Sequence, residues 1–222
     1  VYEVPLMFHK ENLDNIIMTY LQMWTGSPKL QPWIDLIEKY KNPQDNVDIA
    51  FIGKYVTHLD SYESLKEALL HGGIANRLKV NLHYIDSELL TPENASEQLE
   101  NMDGVLVAPG FGERGMEGKI SAIQIARTLK IPFFGICLGM QMAIIEFARN
   151  VVGIKGANSG ESRPDHAENV IDLMPEQKGH QETGGTMRLG SQITVLKKGS
   201  RIAKMYNKTT ISERHRHRYE VM

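Results

Sequence analysis

The sequence alternates between strand-like and helix-like patterns from Val47 to Arg149, and this alternation is the feature that most restricts its fold. Short continuous apolar or β-branched runs predict buried strands, whereas apolar residues three and four positions apart predict helices. Residues 47–52, 104–107 and 131–136 are such runs, and residues 80–85 alternate like a strand, so four strands are predicted. Strands that alternate with helices form a parallel sheet, because each helix returns the chain across a face of the sheet. We therefore expect an α/β fold, a doubly wound and mostly parallel sheet with helices on both faces and ligands at the carboxyl ends of its strands.

The helices are predicted from apolar spacing and from start and stop signals. The first begins with a capping box of Asp60 and Glu63 and is expected to stop at Gly72-Gly73. Three more are predicted over residues 92–99, 119–129 and 138–149. Beyond residue 153 the patterns weaken, and they predict a hairpin of strands 187–189 and 192–196 followed by a short helix over 200–206.

Residues 1–43 have a different pattern and predict a separate unit. One face of an amphipathic helix is formed by six apolar residues, Leu13, Ile16, Ile17, Tyr20, Leu21 and Trp24. A second short helix is predicted from Trp33 to Ile37, and Asn42-Pro43 ends it. We expect residues 1–43 to lie outside the core of the α/β domain, which residues 44–222 form.

The composition excludes several classes of protein. The 222 residues include 25 Lys and Arg against 27 Asp and Glu, and a net charge of −2 argues against a nucleic-acid partner. The longest apolar stretch, 131–147, is interrupted by Pro, Gly and Gln, so no membrane span is expected. A single cysteine excludes a disulfide scaffold, and the polar beginning does not resemble a signal peptide, so we expect a cytoplasmic enzyme.

The chemistry is concentrated at Cys137, which lies between Gly135 and Gly139 after an apolar strand and before a helix. This spacing is typical of the strained strand-to-helix turn that presents a nucleophile, where a Cβ on either glycine would clash. The helix N-terminus is expected to favour the thiolate and to leave the thiol reactive. The alternative is a structural cysteine buried in the core.

A second glycine loop, Pro109-Gly-Phe-Gly112, follows the preceding strand and is expected beside Cys137. The N–H groups of Gly110 and Leu138 are candidates for an oxyanion hole in acyl transfer. The alternative is a tight turn that binds no ligand.

Gly53-Lys54 lacks the spacing of a phosphate loop, and the run Arg214–Arg218 predicts a solvated basic strand rather than a metal site, so no metal is expected.

Together these motifs resemble the class I glutamine amidotransferase family, and within it the glutaminase half of the CTP synthases. The resemblance rests on Gly135-Ile-Cys-Leu-Gly-Met-Gln141, Gly53-Lys-Tyr55 with Asp60-Ser-Tyr62, Phe111-Gly-Glu-Arg-Gly-Met-Glu-Gly-Lys119, Ala157-Asn-Ser159, Gly184-Gly-Thr-Met-Arg-Leu-Gly190 and Glu213-Arg-His-Arg-His-Arg-Tyr-Glu220. Residues 1–43, which begin Val1-Tyr-Glu-Val-Pro5, resemble the tail of the family's synthetase domain and its linker.

The resemblance implies that Cys137 attacks the carboxamide of L-glutamine, forms a glutamyl thioester and releases ammonia. The residues that it implies for binding glutamine are Gly110, Phe111, Leu138, Gly139, Met140, Gln141, Glu161 and Arg218. Glu161 would pair with the α-ammonium group and Arg218 with the α-carboxylate. The segment with Arg114, Gly115 and Glu117 resembles the loop through which GTP activates this family.

The resemblance also implies partners that lie outside this sequence. The ammonia would reach a synthetase domain that aminates UTP to CTP with ATP and Mg²⁺, and that domain would form a homotetramer. No cofactor is expected on the present chain itself.

The sequence departs from the family in its histidines. The family completes its triad with a His-Pro-Glu, and no His-Pro-Glu follows Cys137. The histidines that do follow, His166, His180, His215 and His217, lack the family's context. The motif before Gly110 begins with Ala108 instead of Pro, and Ser162 stands where Phe is usual. Two hypotheses therefore remain, a glutaminase domain truncated before its His-Pro-Glu, and a non-catalytic module that binds glutamine or docks on a partner.

Overall fold

The computed structural model describes residues 1–24, 26–56, 58–177 and 187–222. Its helices are α1 (Val4–Lys10), α2 (Leu13–Tyr20), α3 (Gln31–Lys41), α4 (Glu63–Asn76), α5 (Ala95–Leu99), α6 (Met116–Leu129), α7 (Leu138–Phe147) and α8 (Arg201–Tyr206). Its strands are β1 (Asp45–Gly53), β2 (Leu78–Asp86), β3 (Gly104–Val107), β4 (Phe133–Gly135), β5 (Asn158–Ser159), β6 (Asn169–Leu173), β7 (Arg188–Val195), β8 (Thr210–Arg216) and β9 (Tyr219–Val221).

The central sheet has the order β2-β1-β3-β4, and all of its pairings are parallel. The order reverses between β1 and β3, so the loops after these strands separate and leave a crevice at the carboxyl ends. Smaller sheets of order β5-β6-β9 and β7-β8 follow it along the chain. The predicted doubly wound, mostly parallel α/β fold is confirmed.

Alternate residues of the central strands face opposite sides, and each side has its own apolar core. Ala50 and Ile52 of β1 pack with the buried faces of α5, α6 and α7. Phe51, between them, packs with Tyr62 and with the apolar residues of α4. Helices therefore cover both faces of the sheet, as a continuously apolar parallel strand requires.

The predicted signals at the ends of α4 were wrong. Asp60 lies in a short 3-10 turn that precedes α4, and the first helical turn has no side-chain cap. The helix continues through Gly73 to Asn76 and ends at Arg77, whose φ is +55°. A Cβ on Gly73 would lie 2.7 Å from the Leu78 carbonyl oxygen, so this glycine permits close packing and does not stop the helix.

The predicted hairpin over 187–196 was also wrong. Residues 188–195 form the single strand β7, which pairs antiparallel with β8. Gly190 has a φ of +72° and lies at a shift of register, so it produces a bulge where a turn was predicted. The helix predicted over 200–206 is confirmed as α8, and Ser200 Oγ accepts the Ala203 N–H at its start.

The first forty residues contact the α/β domain through few side chains. The described residues of α1 and α2 include none that is buried, and Tyr20 and Trp24 are 88% and 99% exposed. Ile37 of α3 is buried, and the Tyr2 hydroxyl hydrogen-bonds to Glu67 and His71 of α4. The predicted boundary at residue 43 coincides with the start of β1, and the assignment of two domains stays a prediction.

None of the helices in the described parts of the chain is long and apolar enough to cross a membrane.

Candidate active site

Cys137 lies at the junction of β4 and α7, with φ +53° and ψ −108°. Positive φ is unusual for a residue with a side chain and indicates a strained turn. A Cβ on Gly135 would lie 2.6 Å from the carbonyl carbon of Gly139, and one on Gly139 would lie 2.2 Å from the Val107 carbonyl oxygen. The predicted reason for the two glycines is therefore confirmed, because neither position has room for a side chain.

The environment of the Cys137 thiol differs from the expectation in one respect. The side chain is half-buried, and its desolvation raises the pKa of the thiol above the ordinary value. The charge of Glu161 raises the pKa further, while the Leu138 N–H and the charge of Lys119 lower it. The start of the helix therefore favours the thiolate as expected, but the desolvation of the side chain outweighs this effect.

The glycine loop 109–112 lies against the start of α7. A Cβ on Gly110 would approach Leu138 Cδ2 to 3.8 Å, so Gly110 and Leu138 are neighbours across the turn. Phe111 is 57% exposed at the tip of the loop. The two predicted oxyanion donors thus belong to adjacent segments, and their role stays a prediction.

Two buried lysines lie beneath this loop, and neither was predicted to be buried or to belong to the site. Lys119 is 0% exposed, and its Nζ donates to the Ala108 carbonyl at 3.3 Å. Lys54 is 7% exposed, and its Nζ donates to the carbonyl oxygens of Phe111 and Gly112. Burial, and then the charge of Lys54, lower the pKa of Lys119 to about 8.

Glu161 connects the glycine loop to the segment that follows β5. Its Oε1 accepts the Gly112 N–H at 2.7 Å, and its own N–H donates to Ser159 Oγ. Ser162, the departure from the family, donates from its hydroxyl to Asn158 Oδ1 at 3.0 Å. The charge of Glu161 thus acts on the Cys137 thiol, whereas the hydroxyl of Ser162 is bonded to Asn158 and Ser159.

Arg218 immediately precedes β9, and Tyr219 is the first residue of that strand. Both lie near Glu161. The Tyr219 carbonyl accepts a hydrogen bond from Gln141 Nε2 at 3.1 Å, which joins β9 to α7. Burial and the charge of Glu161 raise the pKa of the Tyr219 hydroxyl, and Arg218 lowers it. Glu161, Arg218 and Cys137, predicted from separate motifs, therefore lie in one electrostatic neighbourhood, together with Tyr219, which was not predicted.

A cavity of about 770 Å³ lies between the Cys137 turn and the sheet of β7 and β8. Cys137, Met140, Gln141, His215 and His217 are among its lining residues. Met140 is 46% exposed, and Gly139 lies beneath it in the first turn of α7. The other six predicted binding residues lie outside the lining of this cavity, namely Gly110, Phe111, Leu138, Gly139, Glu161 and Arg218.

The four histidines that follow Cys137 in the sequence fall into three groups. His215 and His217 line the cavity with their rings 5.4 Å apart, and burial lowers the pKa of His217. His166 lies against Gly156 and Glu168. His180 lies outside the described residues, as does the Gly184-Gly-Thr186 part of its neighbouring motif. His166 and His180 each begin a His-x-Glu triplet, with Ala and Gln in the middle position.

The segment predicted for activation by GTP forms the start of α6. Gly115 has a φ of +72°, and a Cβ there would lie 2.3 Å from Ser87 Oγ. Arg114 pairs with Glu88 at 3.4 Å, and Glu117 pairs with Arg149 at 2.9 Å. Both charged side chains of the segment are therefore ion-paired.

Within the described ranges, no cluster of three or more His, Cys, Asp or Glu is arranged to hold a metal ion.

Comparison with protein families matches residues 57–222 to the model of class-I glutamine amidotransferases. The match covers well over half of the chain, so the chain belongs to the class-I glutamine amidotransferase family.

Relatives within that family include CTP synthases. The CTP synthase of Syntrophus aciditrophicus (strain SB) is 52% identical over 220 residues, and that of Geobacter metallireducens is 54% identical over 221 residues. Each comparison covers 99% of this chain and 41% of the relative, so the chain spans about two fifths of the length of these relatives.

A solved structure of the Trypanosoma brucei CTPS glutaminase domain with bound acivicin is 42% identical, with a TM-score of 0.71. The similarity covers 79% of this chain and 68% of the trypanosome chain. The predicted resemblance to the glutaminase half of the CTP synthases is confirmed.

Proposed function

We propose that this chain is the glutaminase part of a CTP synthase and that Cys137 is its nucleophile. The observation that carries the proposal is the strained turn at Cys137, with the glycine loop and the Leu138 N–H beside it. The acivicin-bound trypanosome relative supports a ligand site in this domain, and we take L-glutamine as the ligand here.

Glutamine recognition is assigned to charges of opposite sign near Cys137. Glu161, fixed by the Gly112 N–H, would pair with the α-ammonium group, and Arg218 would pair with the α-carboxylate. The backbone of Leu138 to Gln141 would line the side-chain carboxamide. Tyr219 lies near both charged residues, and Gln141 holds its backbone in place.

The reaction proceeds by acyl transfer to sulfur. The Cys137 thiolate attacks the carboxamide carbon, a C–S bond forms, and the oxygen becomes negative within reach of the N–H groups of Gly110 and Leu138. Collapse of this intermediate breaks the C–N bond, and the nitrogen takes a proton and leaves as ammonia. Water then attacks the glutamyl thioester, which releases glutamate and restores the thiol.

The thiol has to lose its proton before attack, because its pKa is raised. In the family pattern this proton passes to the histidine of a His-Pro-Glu, and the sequence contains none after Cys137. His215 and His217 are the histidines of the described chain that line the cavity with Cys137. We assign the base to neither.

The wider activity is proposed from the relatives. The ammonia would be consumed by a synthetase domain that aminates UTP with ATP and Mg²⁺, with assembly as a homotetramer through that domain. GTP would activate the reaction through Arg114, Gly115 and Glu117. These steps require parts of the relatives that lie beyond the two fifths covered by this chain.

A second candidate is a module that binds glutamine without hydrolysing it. The raised pKa of the thiol favours this candidate, because a protonated thiol attacks slowly. The binding residues are the same in both candidates, so only a chemical readout separates them.

The experiment is incubation of the chain with L-glutamine and hydroxylamine, with ammonia, glutamate and glutamyl hydroxamate measured together. A glutaminase forms the hydroxamate from the thioester, and Cys137→Ala abolishes it. Glutamine binding by calorimetry without any of the three products supports the binding module.

A further inference from the structure

We propose that Gln141 is a positioning residue for Arg218: its side-chain amide holds the start of β9 against the nucleophile helix α7, and this contact places the Arg218 guanidinium group for the α-carboxylate of glutamine. This role rests on the proposed glutaminase function. It adds a task for the Gln141 side chain to the one assigned to its backbone.

The Gln141 amide bridges two elements that are distant in the sequence. Gln141 lies in the first turn of α7, where its backbone N–H donates to the Cys137 carbonyl oxygen at 3.1 Å. Its side-chain Nε2 donates to the carbonyl oxygen of Tyr219, the first residue of β9, at 3.1 Å. Cys137, Gln141 and Tyr219 all line the 770 Å³ cavity. One side chain therefore ties the residue after Arg218 to the turn that carries the nucleophile.

Packing alone does not account for a glutamine at this position. Gln141 is 6% exposed, and it lies among the buried residues of α7 with Leu138, Met142 and Ile145. Burying an amide is costly unless it is hydrogen-bonded, and a methionine of similar length would fill the same space without that cost. The bond to β9 therefore explains why a polar side chain is buried here.

This hydrogen bond holds the edge of β9 that does not pair with β6. β9 is three residues long and lies at the edge of the β5-β6-β9 sheet. On the β6 side, the Arg218 carbonyl accepts the Met174 N–H at 2.9 Å. The Met222 N–H donates to the Val170 carbonyl on the same side at 3.0 Å. Successive carbonyl groups of a strand point to opposite edges, so the Tyr219 carbonyl points away from β6, and the glutamine amide binds it there.

The position of Arg218 follows from that of Tyr219, because the two Cα atoms are one peptide apart, about 3.8 Å. A shift of the Tyr219 carbonyl is therefore also a shift of the Arg218 backbone. Displacement of a binding group by about 1 Å can cost about 10²-fold in rate. Loss of the Gln141 bond is expected to weaken the contact of Arg218 with the α-carboxylate.

The test compares two chloroketone analogues of glutamine, one with a free α-carboxylate and one with its methyl ester. The ratio of their second-order rate constants with Cys137, free acid over ester, measures recognition of the α-carboxylate. In Gln141→Met this ratio is expected to fall by about tenfold. Gln31→Met is the matched control, because Gln31 is an exposed glutamine of α3 whose amide donates to Asp35 at 2.8 Å, and its ratio is expected to equal that of the parent.

Arg218→Gln shows whether the two residues act through one contact. The ratio is expected to fall in Arg218→Gln, and Gln141→Met added to it is expected to cause no further fall, because coupled residues are not additive. A folded Gln141→Met with the ratio of the parent overturns the proposal, and so does a further tenfold fall in the double variant. Equal slowing of both reagents with a lowered thermal midpoint would indicate a purely structural role and would also overturn it. If Gln141→Met does not fold, Gln141→Leu takes its place with the same expected fall.

Hydrogen exchange of the backbone amides of residues 219–222 is measured on the same samples without any ligand. Exchange is expected to be faster in Gln141→Met than in the parent and the control, because β9 has lost the bond at its outer edge. If the parent reacts with neither chloroketone faster than with iodoacetamide, the proposed function fails, and the exchange rates still decide whether Gln141 holds β9. If the parent prefers the free acid and Gln141→Met keeps the same ratio, only the Gln141 proposal fails.

Discussion

The backbone N–H of Gly112 donates to Glu161 Oε1 at 2.7 Å, and this bond joins the glycine loop to the segment after β5. The loop carries the predicted oxyanion donor, and Glu161 carries the charge assigned to the α-ammonium group of glutamine. The residue proposed to bind the α-ammonium group and the loop that carries the proposed oxyanion donor are therefore connected through one hydrogen bond. Glu161 also raises the pKa of the Cys137 thiol, so an empty site opposes the reactive thiolate.

Glu161→Gln is expected to raise the rate of alkylation of Cys137 by iodoacetamide and to lower its rate of reaction with a chloroketone analogue of glutamine. The amide oxygen still accepts the Gly112 N–H, but the negative charge that raises the pKa of Cys137 is gone. Alkylation by iodoacetamide at pH 7.5 is expected to become several-fold faster, since a one-unit fall in the pKa gives about tenfold more thiolate. The preference for a chloroketone analogue of glutamine is expected to disappear. The control is Glu63→Gln on exposed α4, and changes of both rates in the same direction would argue against the assigned role of Glu161.

Gly139→Ala is expected to destabilise the fold, because the new Cβ would lie 2.2 Å from the Val107 carbonyl oxygen. Both the new Cβ and the Val107 carbonyl are held by backbone, which cannot move aside as a flexible side chain does. We therefore expect the free energy of unfolding to fall by about 3 kcal/mol or more. Gly72→Ala is the matched control, since nothing lies within 4 Å of its Cβ position in α4. There, alanine is expected to stabilise the helix by up to about 1 kcal/mol. Urea unfolding midpoints measure both changes, and equal effects would contradict the close approach at the turn.

Removal of residues 1–28 is expected to change stability less than one substitution in α3. The described residues of α1 and α2 include none that is buried, so their loss is expected to cost about 1 kcal/mol or less, a few degrees in Tm. Ile37 is buried, and Ile37→Ala is expected to cost about 2 kcal/mol. Thermal unfolding of both variants shows which change lowers the stability more. A larger loss on removal of residues 1–28 than in Ile37→Ala would place α1 and α2 in the core.

Lys119 predicts a specific pH dependence of stability. The folded chain loses the Lys119 proton at about pH 8, while an unfolded lysine keeps it to about pH 10.5. Between these values the unfolded state binds more protons, so the contribution of Lys119 makes stability rise with pH. Below pH 8 the cost of the buried charge is fully present, and Lys119→Met is expected to be the more stable form by about 3 kcal/mol. Unfolding midpoints of both chains at pH 7 and pH 10 check this, and a difference that does not change with pH would contradict it.

The sheet and the Cys137 turn were predictable because their signals are local. Strands β1, β3 and β4 contain short apolar runs and β2 alternates apolar with polar residues, and the clash of Cβ atoms at Gly135 and Gly139 follows from the spacing of the motif. The two wrong predictions of secondary structure, the end of α4 and the hairpin over 187–196, each depended on a glycine whose role is set by its neighbours. Gly73 allows α4 to approach β2, and Gly190 forms a bulge in β7, and neither partner is visible in a local pattern.

The electrostatics of the site were less predictable. Lys119 follows Met116 by three residues and so shares the apolar face of α6, and this register is the signal by which a buried lysine is recognisable. The desolvation of the Cys137 thiol and the effect of the Glu161 charge depend on tertiary packing, so neither had a signal in the sequence around Cys137. Tyr219 was missed for the same reason.

The most direct test of the central claim is the reaction of Cys137 with a chloroketone analogue of glutamine, followed by mass spectrometry and compared with iodoacetamide. We expect the rate to saturate with chloroketone concentration, L-glutamine to protect the thiol, and the single adduct to be on Cys137. Equal rates for the two reagents, with no protection by L-glutamine, would contradict the assignment of Cys137 as the nucleophile of a glutamine site.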